Sequence, residues 1–143
     1  MEETFPSAPA NEPKRTPLLS FLLILSFAGS GMMLFAFLMI GLFYDNFVLI
    51  TQSPALIMPG KEIVVNTPPW AFFFGFLFYS LSLSGTIYMW QLKKTGFHIY
   101  TLSQFFLLFL STYVIYPREI TLGDLLFSVM FVLLYATHLK LMK

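Results

Sequence analysis

Uncharged polar side chains supply the chemistry that this sequence places inside its apolar segments. Thr86, Thr101, Gln104, Tyr135 and His138 lie within or at the ends of three apolar runs, at matching depths. Hydroxyl, amide and imidazole groups at such positions can form hydrogen bonds between helices, each contributing about 0.5–1.5 kcal/mol. The set therefore predicts hydrogen bonding between helices. As the alternative, it predicts a pocket for a lipid headgroup or a small amphipathic molecule, for which these five residues are the candidates.

The histidine and cysteine content decides which metal and redox sites are open to this chain. His98 and His138 are its two histidines, and it contains no cysteine. A membrane haem needs two ligands at similar depth on facing helices, whereas these histidines sit at the ends of apolar runs, too shallow for haem burial. Without cysteine, disulfides, thiol redox catalysis and thiolate metal sites are excluded. We therefore predict no metal site and no cofactor.

Asp124 is the carboxylate closest to a position within the membrane. Drug–proton antiporters of four helices depend on such a carboxylate, but Asp124 lies close to the start of an apolar run. A carboxylate at the start of a helix is ordinarily a cap or a partner of the helix dipole. The chain has no Ser/His/Asp constellation, phosphate loop or metal-ligand spacing. We predict no catalytic residue and a protein that is not an enzyme.

Four long apolar runs carry these polar side chains. They cover residues 18–43, 70–92, 97–116 and 122–139, and no charged residue lies deep within any of them. The chain is 57% hydrophobic and 10% charged, whereas soluble domains carry about 25% charged residues. Because about 20 apolar residues cross a bilayer as a helix, the predicted fold is an all-α membrane protein with a bundle of four transmembrane helices. Residues 17–143 form this domain, and residues 1–16 are predicted to be a disordered cytoplasmic tail.

The distribution of lysine and arginine predicts the orientation, since basic residues favour the cytoplasmic side. One side of the four runs carries six of them: Lys14, Arg15, Lys93, Lys94, Lys140 and Lys143. The other side carries Lys61 and Arg118. Both termini are therefore predicted to be cytoplasmic, in the inner (cytoplasmic) membrane. The net charge of +1 gives no reason to expect nucleic acid as a partner.

The connections between the runs are unequal in length. In the cytoplasmic turn between the second and third runs, Lys93 and Lys94 are predicted to face the last carbonyls of a helix, and Gly96 to end it. The outer loop, residues 45–69, is longer and rich in β-branched residues at Phe47–Thr51 and Lys61–Asn66. It predicts either a small β-hairpin on the outer face or an irregular lid.

Two segments resemble a known group of proteins. Met89–Gln104 reads MWQLKKTGFHIYTLSQ, and Tyr135–Met142 reads YATHLKLM. An aromatic residue, a basic pair, glycine and another aromatic residue join two apolar runs, and a lysine-containing tail follows the last run. This arrangement resembles small four-span bacterial inner-membrane proteins without an assigned activity. The resemblance covers about half of the chain and implies the four-span architecture, with no catalytic residue.

Two functions are predicted for such a chain. The first is a non-enzymatic accessory or scaffold subunit, acting as a homo-oligomer or within a larger membrane complex, because catalytic and conducting groups are lacking and the outer faces are rich in phenylalanine. The second is a carrier or binder of a lipid or small hydrophobic molecule, held by the weakly polar interior of the bundle. Membrane lipids are partners in both cases.

Overall fold

The computed structural model describes residues 14–53, 61–115 and 122–143. The described α-helices are α1 (Pro17–Leu42), α2 (Tyr44–Gln52), α3 (Lys61–Asn66), α4 (Pro69–Trp90), α5 (Lys94–Leu110) and α6 (Leu122–Thr137). A short π-helical turn, Ser111–Ile115, extends α5, and a 3₁₀ turn, Leu139–Leu141, follows α6. The prediction of a disordered tail falls mainly on residues 1–13, which lie outside the described residues.

The long helices coincide with the four apolar runs, to within three residues at each described end. Proline begins two of them, because its missing N–H is not needed in the first turn. Pro17 is the first residue of α1, where the Thr16 hydroxyl accepts a hydrogen bond from the Leu19 N–H at 3.2 Å, and Pro69 is the first residue of α4. Three helices, α1, α4 and α5 with its π-helical extension, are long and apolar enough to cross a membrane. The apolar α6 is shorter, with 16 described residues.

The prediction of a β-hairpin in the outer loop is wrong for the described residues, where both β-branched segments are helical. Tyr44–Gln52 forms α2 and Lys61–Asn66 forms α3. Helix α2 follows α1 after one residue, and the Phe47 N–H donates to the Phe43 carbonyl at 2.9 Å. A helix satisfies its own backbone near a membrane, whereas two isolated strands would leave their outer edges unpaired and are marginally stable.

The helices are packed tightly at one end, which carries Arg15, Lys93, Lys94 and Lys143 and is called the basic end below. Here α4 lies between α1 and α5, and the end of α6 closes against α1 and α5. The buried side chains at this end form one cluster: Leu19, Leu22, Leu23, Met89, Tyr100, Tyr135 and Met142. At the opposite end α6 is loosely held, and each residue from Leu122 to Phe127 is exposed.

The turn at the basic end differs from the prediction. Leu92, between α4 and α5, adopts the left-handed backbone conformation with φ of 57°, whereas Gly96 lies within α5. The turn is closed by Lys143, whose N–H donates to the Leu92 carbonyl at 2.7 Å and whose carbonyl accepts from the Lys94 N–H at 2.8 Å. These bonds satisfy backbone groups that a helix end leaves free. The Leu92 side chain packs against the buried cluster, and this packing offsets the strain of the left-handed conformation.

Candidate functional site

A close crossing of two glycines sets the rotation of α5, and therefore the direction of its polar side chains. Gly85 of α4 faces Gly96 of α5, and a Cβ atom added at Gly96 would lie 2.6 Å from the Gly85 carbonyl oxygen and 2.5 Å from the Met89 nitrogen. Small residues allow helices to approach this closely in membranes. The same face of α5 buries Tyr100 and Ser103, each one residue before the predicted site residues Thr101 and Gln104. Gln104 is thereby turned towards α6.

Tyr135 joins α6 to α1 in the tightly packed half. Its side chain is fully buried, and its hydroxyl lies 2.7 Å from the Ser26 hydroxyl and donates to the Leu22 carbonyl at 2.8 Å. The Ser26 hydroxyl is also 3.4 Å from the Tyr100 hydroxyl, and the two tyrosine rings meet edge to face at 5.2 Å. Three helices therefore share one buried hydroxyl network.

Gln104 is the centre of a second network, nearer the middle of the helices. Its Nε2 donates to the Ser82 hydroxyl at 3.1 Å, and its Oε1 accepts from the Ser128 hydroxyl at 3.2 Å. Ser82 lies 3.0 Å from the Ser30 hydroxyl of α1. This chain of amide and hydroxyl groups crosses α1, α4, α5 and α6 at one level.

The other predicted site residues bond locally or have no described partner. The Thr86 hydroxyl donates to the Ser82 carbonyl of its own helix at 2.9 Å. His138 lies just beyond α6, and its Nδ1 is 2.8 Å from the Leu134 carbonyl. The Thr101 hydroxyl is buried without a hydrogen-bond partner among the described residues.

The five predicted residues consequently do not meet in one hydrogen-bonded cluster. Gln104 and Tyr135 belong to two separate networks, and none of the five bonds directly to another within the described chain. Their shared depth was predicted from spacing along each helix, which does not fix the rotation of one helix against the next. The glycine crossing fixes that rotation for α5.

A cavity of about 470 Å³ lies in the loosely packed half, beyond Gln104. Its volume is within the usual range of small-molecule pockets, about 300–1,000 Å³. The lining residues come from α1, α3, α4, α5 with its extension, and α6: Met33, Phe37, Ile40, Ile63, Val64, Phe72, Tyr79, Gln104, Leu107, Leu108, Leu110, Ser111, Ile115, Asp124, Phe127 and Ser128. Of the predicted site residues, only Gln104 contributes to it.

The wall of this cavity is apolar and partly aromatic, while its polar groups are few. The Phe37 ring lies against Gly75, and its centroid is 5.7 Å from that of Phe72 and 5.3 Å from that of Tyr79. A Cβ at position 75 would collide with the Phe37 ring, so glycine is required for this ring position. The second network, at Gln104 and Ser128, forms the polar part of the lining near the middle of the helices.

A second groove, of about 440 Å³, lies between α1 and α4 on the other half. It is almost wholly apolar, and Thr86 and Trp90 contribute to it. The guanidinium carbon of Arg15 lies 4.5 Å from the Trp90 ring centroid, and the Lys93 ammonium lies 5.5 Å from the Tyr88 ring centroid. Cations on aromatic rings at a helix end are typical of the membrane interface.

Sequence reasoning did not find the cavity in the loosely packed half, although its signals are present. Ser82, Ser128 and Tyr79 are polar residues within the second and fourth apolar runs. Asp124 and Ser128 are four residues apart and so share a face of α6 with Phe127. The empty space itself could not be read from the chain, because it arises from the loose contact of α6 with the other helices.

Comparisons with protein-family models, curated protein sequences and solved structures give no match to this chain. The resemblance to small four-span bacterial inner-membrane proteins stays a prediction.

Proposed function

We propose that this protein is a non-enzymatic membrane protein that binds a small amphipathic molecule, a lipid or another hydrophobic compound, in the cavity between α1, α4, α5 and α6. The single observation that supports this function is the cavity of about 470 Å³, whose wall is mainly apolar while Gln104 and Ser128 offer polar atoms at one part. A ligand with an apolar body and a polar group matches this division.

The proposed setting is the bacterial inner membrane, crossed four times with both termini in the cytoplasm. Support comes from the basic end, where Arg15, Lys93 and Lys94 lie together with Lys143. As the proposed fourth span, α6 extends about 24 Å at 1.5 Å per residue, about 6 Å less than the roughly 30 Å of the hydrocarbon region.

The test of amphiphile binding is to fill the cavity. Ser128→Phe places a ring in the lining and is expected to lower the affinity for a neutral probe, radiolabelled dodecylglycerol, at least about tenfold. Binding is measured by saturation on the full chain in phosphatidylcholine nanodiscs.

The matched control is Ser84→Phe, the same change on an exposed face of α4. This variant is expected to bind dodecylglycerol with the affinity of the unchanged protein. Leu108→Phe, also in the lining, serves if Ser128→Phe does not fold. Undiminished saturable binding in a folded cavity variant would contradict the proposal, as would absence of saturable binding in the unchanged protein.

A second candidate function is that of an accessory or scaffold subunit in a homo-oligomer or a larger complex. It is favoured by the exposed apolar surface of α6, where Leu122 and Leu126 are each 67% exposed and Phe127 is 63% exposed. Lipid or another protein must cover this surface. Native mass spectrometry from mild detergent is expected to give a particle heavier than one chain, and a strictly monomeric particle without partners would count against this function.

A further inference from the structure

One charged residue lines the cavity within the described part of the chain. Among the sixteen described residues around it, Asp124 alone carries a charge. Its Oδ2 accepts a hydrogen bond from the Ser111 hydroxyl of the π-helical turn at 3.4 Å, so the carboxylate is directed across the space between α6 and α5. It lies at the loosely packed end of α6, where it is exposed and a ligand can reach it.

The aromatic wall, like Asp124, favours a positively charged ligand. Phe37, Phe72 and Tyr79 line the cavity from α1 and α4, and Phe127 lines it from α6, one turn after Asp124. The face of an aromatic ring attracts a cation by about 0.5–1 kcal/mol at an exposed site. An anionic ligand would meet the carboxylate with no basic side chain among the described lining residues.

We propose that the cavity selects a cationic amphiphile, a molecule with one ammonium-type positive charge and an apolar chain, and that Asp124 is its counter-ion. The inference rests on the proposed amphiphile-binding function and adds the charge of the ligand. The apolar chain lies along the leucine and phenylalanine wall. The charged group lies at the Asp124 end, beside the Ser111 hydroxyl.

Three probes with the same dodecyl chain test this charge preference: dodecyltrimethylammonium, neutral dodecylglycerol and dodecyl sulfate. Each competes with radiolabelled dodecylglycerol on the full chain in phosphatidylcholine nanodiscs, and the Ser128→Phe protein gives the background partitioning. The cationic probe is expected to bind about tenfold more tightly than the neutral one, from one exposed ion pair together with cation–π contacts. The sulfate is expected to bind most weakly.

Asp124→Asn keeps the size of the side chain and removes its charge. The ratio of cationic to neutral affinity is expected to fall from about ten to about one. Asp45→Asn is the matched control, since Asp45 is also an exposed carboxylate in the first turn of a helix but does not line the cavity. This control is expected to keep the tenfold ratio.

The outcomes separate the two proposals. Equal affinity of the unchanged protein for the cationic and neutral probes overturns the charge preference and leaves the amphiphile site standing. An equal loss of preference in Asp45→Asn and Asp124→Asn also overturns it, because general surface charge then explains the selectivity. If no probe binds above the Ser128→Phe background, the amphiphile-binding function itself fails.

Discussion

Gly96→Ala and Gly85→Ala are each expected to lower the free energy of unfolding by about 3 kcal/mol, the upper part of the usual range for overpacking. The added Cβ at Gly85 would lie 2.7 Å from the Tyr100 nitrogen, and the one at Gly96 would lie 2.5 Å from the Met89 nitrogen. Both contacts are with backbone atoms, which cannot turn aside as a flexible side chain can. Helices α4 and α5 must therefore separate. Unfolding by denaturing detergent titrated into mixed micelles measures the change.

Gly29→Ala is the matched control for the glycine crossing. Gly29 is also a helical glycine, in α1, and a Cβ there has no described atom within 4 Å. Its replacement is expected to be neutral or to stabilise the helix by about 0.5–1 kcal/mol, because alanine loses less backbone entropy on folding. If Gly96→Ala unfolded at the same denaturant fraction as Gly29→Ala, the close crossing would be contradicted.

Tyr135→Ala is the second substitution with a large expected effect, a loss of about 3–5 kcal/mol of unfolding free energy. The ring is fully buried among the side chains of the basic end, and the substitution leaves a cavity there. Tyr135→Phe keeps the ring and removes only the hydroxyl, which donates to the Leu22 carbonyl and meets Ser26. Its expected loss is about 1–2 kcal/mol. Thermal unfolding followed by circular dichroism distinguishes the two variants.

Tyr113→Ala provides the comparison for Tyr135, since Tyr113 is 67% exposed in the π-helical turn. Its replacement is expected to change stability by less than about 0.5 kcal/mol. A loss at Tyr113 as large as that at Tyr135 would mean that the packed basic end does not hold α6 in place.

The helices were predictable because a helix of membrane-spanning length appears in the sequence as a long uninterrupted run of apolar residues. The apolar runs give most bounds of the long helices to within a few residues, and the structure adds Pro17 and Pro69 as the first residues of two of them. Segment Tyr44–Gln52 was harder, because β-branched residues favour strands in water but a helix satisfies its own backbone close to a membrane. There the backbone requirement outweighs local propensity.

The candidate site was less predictable, because it depends on how helices are rotated against each other. Gly96 was predicted to end a helix, and it instead allows α5 to approach Gly85 of α4. That contact turns Tyr100 towards Ser26 and Gln104 towards Ser128. Periodicity along a helix can group polar side chains on one face, such as Ser82 and Thr86 of α4, which are both buried. It could not identify the cavity, which is a property of the space between helices.

The uneven packing of α6 has a mechanical consequence. This helix is fixed near Tyr135, while its first turns at Asp124 are exposed and touch α5 only lightly. A rigid helix that pivots near one end moves most at its other end, and Asp124 lies about 16 Å from Tyr135 at 1.5 Å per residue. A rotation of a few degrees at the hinge therefore moves the carboxylate by an ångström or more without disturbing the anchored side chains. In the proposed amphiphile site, we expect such a movement to fit the width of the cavity to the girth of its ligand, so that charge matters more than shape.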